Sequence, residues 1–140
     1  MSRILALDHG AKRIGVAVSD PTRTLASALP CLETVPFQKL TGKLKALIRE
    51  QEIDLILVGM PRNMDGTYGP AAKKVEEFIT RLREVILVPI QTLDERWSTV
   101  EASRRLGEAG HSARAQKGKI DSASAQILLQ SYLDAPRPLR

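Results

Sequence analysis

The fold of this chain is decided by residues 3–18, which read RILALDHGAKRIGVAV. The first half is apolar up to Asp8, and a short turn containing Gly10 leads into a second run of small and β-branched residues at 14–18. Two such runs joined by a turn are typical of paired strands. The stretch therefore predicts an antiparallel hairpin in a tightly covered sheet.

The chain beyond the hairpin alternates between strand and helix patterns. The predicted elements are an edge strand at 24–34, a helix capped by Thr34 and ending near Gln51, a buried strand at 55–58, a helix from Pro70, a strand at 85–90, a helix from Ser98 to Leu106, a flexible loop from Gly107 to Lys119 and a helix from about Lys119 to Leu133. Three antiparallel strands followed by alternating helices and parallel strands are the order of ribonuclease H-like domains. We therefore expect an α/β three-layer fold, with a mixed five-stranded sheet and helices on both faces.

The length and composition of the chain indicate one intracellular domain. A chain of 140 residues with 43% hydrophobic content can bury a single core, so we expect one domain over 1–135 and a frayed tail at 136–140. No apolar run is long enough to cross a membrane, which favours a cytoplasmic protein. The only cysteine, Cys31, excludes an internal disulfide and a cysteine-based metal cluster. No long apolar stripe requires a dimer, so a monomer or weak homodimer is expected.

The charge balance favours a polyanionic partner. Lysine and arginine outnumber aspartate and glutamate by 21 to 16, which gives a net charge of +5. Aromatic residues make up only 4% of the chain, too few for a platform on which bases would stack. The composition therefore predicts contacts with the phosphates of a nucleic acid. A basic but merely solvated surface is the alternative interpretation.

Asp8 is the first candidate for catalysis. Strand alternation places it on the same face as Ile4 and Ala6, so its carboxylate ends an otherwise apolar row. An ionised carboxylate in such a place needs a partner, a metal ion or solvent. The alternative is an Asx turn, in which Asp8 accepts hydrogen bonds from amides of the following turn.

Further carboxylates are expected at the same end of the sheet. Asp121 falls in the first turn of the last predicted helix, where the helix dipole alone would favour it. The small residues at 122–125 would let that helix approach the sheet and bring Asp121 towards Asp8. Asp94 and Glu95 follow the last predicted strand, where α/β folds collect their sites. Glu95 is preferred for its longer reach, although the sequence leaves the choice between these two open.

A cluster of Asp8, Glu95 and Asp121 would require cations. Three carboxylates in contact repel one another by about 4 kcal/mol per pair at ~4 Å and an effective dielectric near ~20. Because all the ligands are oxygens, Mg2+ or Mn2+ is the expected metal. Two such ions, roughly 3.5–4 Å apart, would activate a water and hold the scissile phosphate of a nucleic acid.

Basic side chains near these carboxylates are candidates for phosphate binding. Arg96 is the best candidate for a phosphate clamp, and Lys12 and Arg13, beside Asp8 in the hairpin, are candidates for binding neighbouring phosphates. Arg62 lies in the loop 59–66 before the second helix, whose N-terminus offers free amides. Each of these side chains could equally be a surface charge. His9 is expected to be a polar residue at the rim of the site.

Four segments together resemble one protein family. They are DHGAKRIG at 8–15, GMPRNMDG at 59–66, DERWST at 94–99 and IDSASA at 120–125. In this order they are similar to the YqgF/RuvX family over almost the whole chain. The resemblance implies a ribonuclease H-like fold, kinship with the Holliday junction resolvase RuvC, and nuclease activity in processing the 5′ end of pre-16S ribosomal RNA. Branched or single-stranded DNA is a further substrate that the kinship implies.

Two other functions remain open at this point. The pattern Asp8-x-Gly-x-x-x-x-Gly also resembles the first phosphate-binding turn of the actin, hexokinase and Hsp70 ATPases. Those enzymes hold the nucleotide between two such domains, and 140 residues supply one. The other alternative is a factor in RNA processing or transcription that binds nucleic acid without cutting it. Asp8, Glu95 and Asp121 are all acidic, which weighs against a site that has lost its catalytic activity.

Overall fold

A computed structural model describes residues 2–10, 12–60, 69–94 and 122–135 of the chain. These residues form eight elements: β1 (Arg3–His9), β2 (Arg13–Ser19), β3 (Ala26–Glu33), α1 (Phe37–Glu50), β4 (Ile53–Met60), α2 (Pro70–Val85), β5 (Ile90–Asp94) and α3 (Ala123–Asp134). Within the described ranges, no helix combines the length and apolar character needed to cross a membrane. The helix predicted from Ser98 and the loop from Gly107 lie outside these ranges.

The described strands form one mixed sheet in the order β3-β2-β1-β4-β5. β1 pairs with β2, and β2 with β3, in antiparallel fashion. β4 lies parallel to β1 on its other side, and β5 lies parallel to β4. This is the predicted arrangement, with the opening hairpin placed at the middle of the sheet. The carboxyl ends of β1, β4 and β5 consequently meet at one edge.

Each face of the sheet is covered by its own apolar core. The core under α1 and α2 takes alternate residues of the central strands, among them Leu5 and Leu7 of β1. The core under α3 takes the intervening residues, among them Ile4 and Ala6. All four of these side chains are fully buried. The alternation that was used to place Asp8 with Ile4 and Ala6 therefore also sorts the other side chains of β1 between the two layers.

The hairpin turn depends on a glycine. The Gly10 amide donates to the carbonyl of Arg13 at 2.9 Å, which closes the turn between β1 and β2. A Cβ atom at Gly10 would stand only 2.6 Å from that same carbonyl oxygen. No larger residue fits there without movement of the backbone. The turn residue predicted from the sequence is therefore required by close backbone packing.

The predicted strand at 85–90 is wrong in its placement. Helix α2 continues to Val85, and the Ile86 amide still donates to the carbonyl of Leu82. Leu87 is fully exposed, and the strand begins only at Ile90, after Pro89 has offered its carbonyl to the Ile56 amide. An unbroken apolar run does not distinguish the end of a buried helix from a strand. Asp94 is consequently the last residue of β5 and does not follow the strand.

Two predicted helix starts also need correction. The cap of α1 is Pro36, and the Thr34 hydroxyl instead donates to the carbonyl of Lys12 at 3.2 Å, which ties the strand end to the hairpin. Helix α3 begins at Ala123, later than the predicted start near Lys119. Ala123, the first residue of the helix, is exposed, whereas Ala125 is fully buried.

Candidate active site

Asp8 lies at the carboxyl end of the central strand β1, where a half-buried side chain can reach solvent. Its position in the alternation places the carboxylate on the α3 side of the sheet, in the row of Ile4 and Ala6. Asp8 pairs with Gly15 of β2. On the other side, Leu7 pairs with Val58, so that Gly59 is the next residue of β4 beside Asp8.

Asp8 is therefore a carboxylate flanked by glycines on both neighbouring strands. Neither Gly15 nor Gly59 offers a side chain that could cover the carboxylate from the side. A Cβ at these two positions would point to the same face of the sheet as Asp8. At these two positions β2 and β4 therefore contribute only backbone beside the carboxylate.

The hydroxyl of Ser122 connects α3 to this part of the sheet. Ser122 is fully buried, and its Oγ accepts a hydrogen bond of 2.9 Å from the amide of Val16. Val16 follows Gly15, at a point where the register between β2 and β3 shifts. Ser122 occupies the cap position of α3 but makes no side-chain bond to its own helix. Its hydroxyl therefore fastens the start of the helix to the strand beside Asp8.

Two further polar side chains of α3 fix the helix along the sheet. Oε1 of the fully buried Gln130 accepts from the Ala26 amide at 2.9 Å, and its Nε2 donates to the Thr24 carbonyl at 3.0 Å. Nε2 of Gln126 donates to the Ala26 carbonyl at 3.2 Å. The two amides together satisfy backbone groups at the start of the edge strand β3. Ser122, Gln126 and Gln130 recur every four residues, so one stripe of α3 carries all three contacts.

His9 points away from the Asp8 carboxylate. Its ring lies against Phe78 of α2, with the ring centroids 4.7 Å apart, on the opposite side of the sheet from α3. Burial lowers the pKa of the His9 imidazole, and the neighbouring Asp8 carboxylate only partly offsets this effect. At neutral pH the ring is therefore uncharged. His9 is better described as packing for the strand end than as the predicted polar residue at the rim.

The other predicted residues are placed unequally by the structure. Lys12 and Arg13 are exposed in the hairpin beside the end of β1. Asp94 pairs with Met60, whose side chain belongs to the α1 and α2 core, so Asp94 lies on the face opposite Asp8. Four predicted site residues lie outside the described residues: Arg62, Glu95, Arg96 and Asp121. Within the described ranges, no three potential ligands come together as a metal site.

The roles of Ser122, Gln126 and Gln130 were not predicted from the sequence. Ser122 was considered only for its small size, and the two glutamines were given no role. Their signal in the sequence was three polar residues at a spacing of four in a helix that is otherwise apolar on that side. Polar groups at buried positions are hydrogen-bonded as a rule, so such a stripe indicates partners on the backbone of a neighbouring element.

The sheet order, with a carboxylate at the end of its central strand, defines a ribonuclease H-like domain. A solved structure of the same architecture is the RuvC of T. thermophilus in complex with a Holliday junction substrate. It is similar with a TM-score of 0.53 at 11% identity, over 94% of this chain and 92% of that chain. At this identity the likeness concerns the fold.

The family is shown by sequence. The profile of the RuvX family, described as "Holliday junction resolvase", matches residues 2–135. The chain belongs to this family. A relative from Roseiflexus sp. (strain RS-1) is 41% identical over 96% of both chains, and one from Thermoanaerobacter pseudethanolicus is 42% identical over 96% of this chain and 98% of its own. Both carry the name "Putative pre-16S rRNA nuclease".

Proposed function

We propose that this protein is a metal-dependent nuclease that hydrolyses phosphodiester bonds in the 5′ processing of pre-16S ribosomal RNA. The observation that carries the proposal is the Asp8 carboxylate, held at the end of the central strand between two glycines. The names of the relatives from Roseiflexus and Thermoanaerobacter supply the RNA substrate. We further propose that residues 1–135 act as one cytoplasmic domain, as a monomer or weak homodimer.

The proposed ligands are the carboxylates of Asp8, Glu95 and Asp121. Their donors are oxygens only, and the space beside Asp8 is not filled by side chains of β2 or β4, so this set fits Mg2+ or Mn2+. When bound, such ions lower the pKa of a water and neutralise charge on the scissile phosphate. The contribution of Asp8 is a fixed negative charge on a rigid strand, which requires no reorganisation when the substrate binds.

Glu95 is proposed as the ligand from β5 because of the alternation of that strand. Leu93 belongs to the core under α3, on the face of Asp8, and Asp94 lies on the other face. If the alternation continues by one residue, Glu95 returns to the face of Asp8. The alternation of β5 thus favours Glu95 independently of the length of its side chain.

Asp121 is proposed as the third ligand because it immediately precedes Ser122 in the chain. The Ser122 hydroxyl is held 2.9 Å from the Val16 amide, one residue from the glycine that pairs with Asp8. Consecutive Cα atoms are about 3.8 Å apart, so the fixed position of Ser122 restricts where Asp121 can lie. Asp121 was expected inside the first helical turn, but α3 begins two residues later. The hydrogen bond of Ser122 thus gives a better reason than the helix dipole for placing this carboxylate near Asp8.

Cations around the carboxylates are proposed to bind the RNA backbone. Lys12 and Arg13 are exposed at the hairpin next to the strand end, within reach of phosphates that flank the scissile bond. Arg62 and Arg96 are proposed for the same role from their positions in the sequence, Arg96 as the phosphate clamp. Phosphate contacts position a nucleic acid without reading its bases. Selection of the processing site would then depend on the shape of the precursor RNA.

The test is cleavage of precursor 16S RNA by the purified protein with Mg2+ or Mn2+. The Asp8→Asn variant should lower the cleavage rate by about a hundredfold or more, because it removes one of the charges that hold the metal. Asp54→Asn is the matched control, since Asp54 lies at the start of β4, whereas Asp8 lies near the carboxyl end of the parallel strand β1. Cleavage that persists in a metal chelator, or at an unchanged rate in Asp8→Asn, would contradict the proposal. RNA binding without cleavage would identify the chain as a non-catalytic factor.

A further inference from the structure

Helix α1 carries an unusual excess of positive charge on its exposed side. The α1 basic face consists of four exposed side chains: Lys39, Lys43, Lys45 and Arg49. The only acidic residue of the helix is Glu50, at its last position, and the first turn contains no acidic residue. The neighbouring helix α2 mixes four cations with three carboxylates along its length. Among the three helices that the structure describes, the excess is therefore particular to α1.

Apart from Arg49, which lies in the last turn where the helix dipole favours a cation, this pattern does not serve the stability of the helix itself. Lys39 with Lys43, and Lys45 with Arg49, are like charges four residues apart, an arrangement that weakens a helix. The cationic Lys39 lies near the amino end, where the helix dipole favours acidic residues. Within the described ranges, none of the four side chains has an ion-pair partner. A surface that is only solvated would more commonly mix both signs.

The helix itself is firmly held, so its charges occupy fixed positions on the protein. Leu40 and Leu44 are buried against the sheet, and Phe37, Leu47 and Ile48 pack against the same core. At 1.5 Å per residue, Lys39 and Arg49 are about 15 Å apart along the helix axis, a length that corresponds to roughly four phosphates of one strand. Between them lies the exposed Gly42, where even an added Cβ would meet no atom within 4 Å. A polyanion can therefore approach closely.

We propose that the α1 basic face binds the sugar-phosphate backbone of RNA, outside the segment that is cut at Asp8. This inference rests on the proposed function for the identity of the polyanion. Because α1 covers one side of the sheet and the Asp8 carboxylate lies on the other, the two contacts involve different stretches of the RNA. The face carries no large apolar side chain of the kind that inserts into a membrane. Lysine is depleted in the cores of protein interfaces, which disfavours a protein partner.

The experiment measures binding of a fluorescent RNA duplex of about 20 base pairs by anisotropy at several salt concentrations. The double variant Lys39→Gln, Lys43→Gln should weaken binding about tenfold near physiological salt and lower the slope of log affinity against log salt by about 1.5 to 2. Replacing the same lysines by arginine should preserve affinity. The control variant Ser27→Glu, Leu87→Glu changes the net charge equally at two exposed positions outside α1 and should bind nearly as well as the parent.

The inference would be overturned if the glutamine variant bound RNA with an affinity within twofold of the parent, or if the control variant lost as much RNA affinity as the glutamine variant. It would also be overturned if the glutamine variant lost as much affinity for anionic phospholipid vesicles as for RNA, which would indicate a membrane surface. Circular dichroism and thermal melting verify that each variant is folded. Failure of the proposed nuclease function can be distinguished from failure of this inference. If the parent protein does not cleave RNA but the glutamine variant still binds RNA more weakly than the control, the nuclease proposal is wrong. Binding of RNA by the α1 basic face is then supported.

Discussion

Replacing Ser122 by alanine should destabilise the protein and also weaken its active site. The substitution removes only an oxygen, but that oxygen is the acceptor for the buried Val16 amide. A buried donor left without an acceptor costs about 1–3 kcal/mol. At roughly 3 °C per kcal/mol for a domain of this size, the melting temperature should fall by about 3–9 °C. The loss is not that of a helix cap, since the hydroxyl makes no bond to its own helix.

Ser124→Ala provides the matched control for this prediction. Ser124 is exposed in the same helix, so the same chemical change should alter stability by less than about 0.5 kcal/mol. Urea denaturation of both variants measures the difference directly. If the two variants are equally stable, the Val16 amide finds another acceptor and the anchoring argument is refuted.

The effect of Ser122→Ala on activity is measured separately, well below the melting transition. The variant should need more Mg2+ or Mn2+ than the Ser124→Ala control for half-maximal cleavage, because the residue next to Asp121 is no longer held by the sheet. Titration of each variant with Mn2+ checks this without relying on turnover. Reduced stability with an unchanged metal requirement would show that the hydrogen bond serves folding and does not position Asp121.

Three further predictions concern the scaffold. Gly42→Ala should raise the unfolding free energy by about 0.5–1 kcal/mol in urea titration, since the position is an exposed helix interior with free space around it. Gln130→Leu should lower the unfolding free energy by about 2–4 kcal/mol, because the buried Ala26 amide loses its acceptor. If the same substitution at an exposed glutamine lowered the unfolding free energy equally, this prediction would be wrong. The Ser2 hydroxyl, assisted by Arg23, lowers the pKa of Asp54, so this carboxylate stabilises the fold above its unfolded pKa and the contribution disappears as the pH falls through the folded value. For so exposed a group the effect is about 0.5 kcal/mol or less, and comparing acid unfolding of the parent with that of Asp54→Asn measures it.

The parts of the fold predicted correctly are those in which the signal is local. The two apolar runs and the turn at Gly10 all lie within residues 3–18, and the structure confirms the hairpin. The run at 85–90 has no such signal, because its residues suit either a helix or a strand. Its assignment depends on β4, whose Ile56 pairs with Ile90. That contact lies beyond the range of any sequence period.

The anchoring of α3 was beyond prediction for the same reason. Ser122 and Val16 are 106 residues apart, and Gln130 and Ala26 are 104 apart. No local pattern states which strand a buried polar side chain will meet. The sequence could show only that such a stripe exists. The place of Asp8 was predicted, whereas the glycines on both sides of it became visible only with the register of the sheet.

The choice between Asp94 and Glu95 does not depend on the wrong start that was predicted for the last strand. Moving the start of β5 to Ile90 changes where the strand begins, but the side on which each residue lies is set by its pairing with β4. Gly59 pairs with Leu93, and both lie on the same face of the sheet as Asp8. Any carboxylate that β5 contributes beside Asp8 must therefore have an odd residue number if the alternation persists. Glu95 meets this condition and Asp94 does not, so Glu95→Gln should impair cleavage more than Asp94→Asn, and the reverse order would require a break in the alternation at the end of the strand.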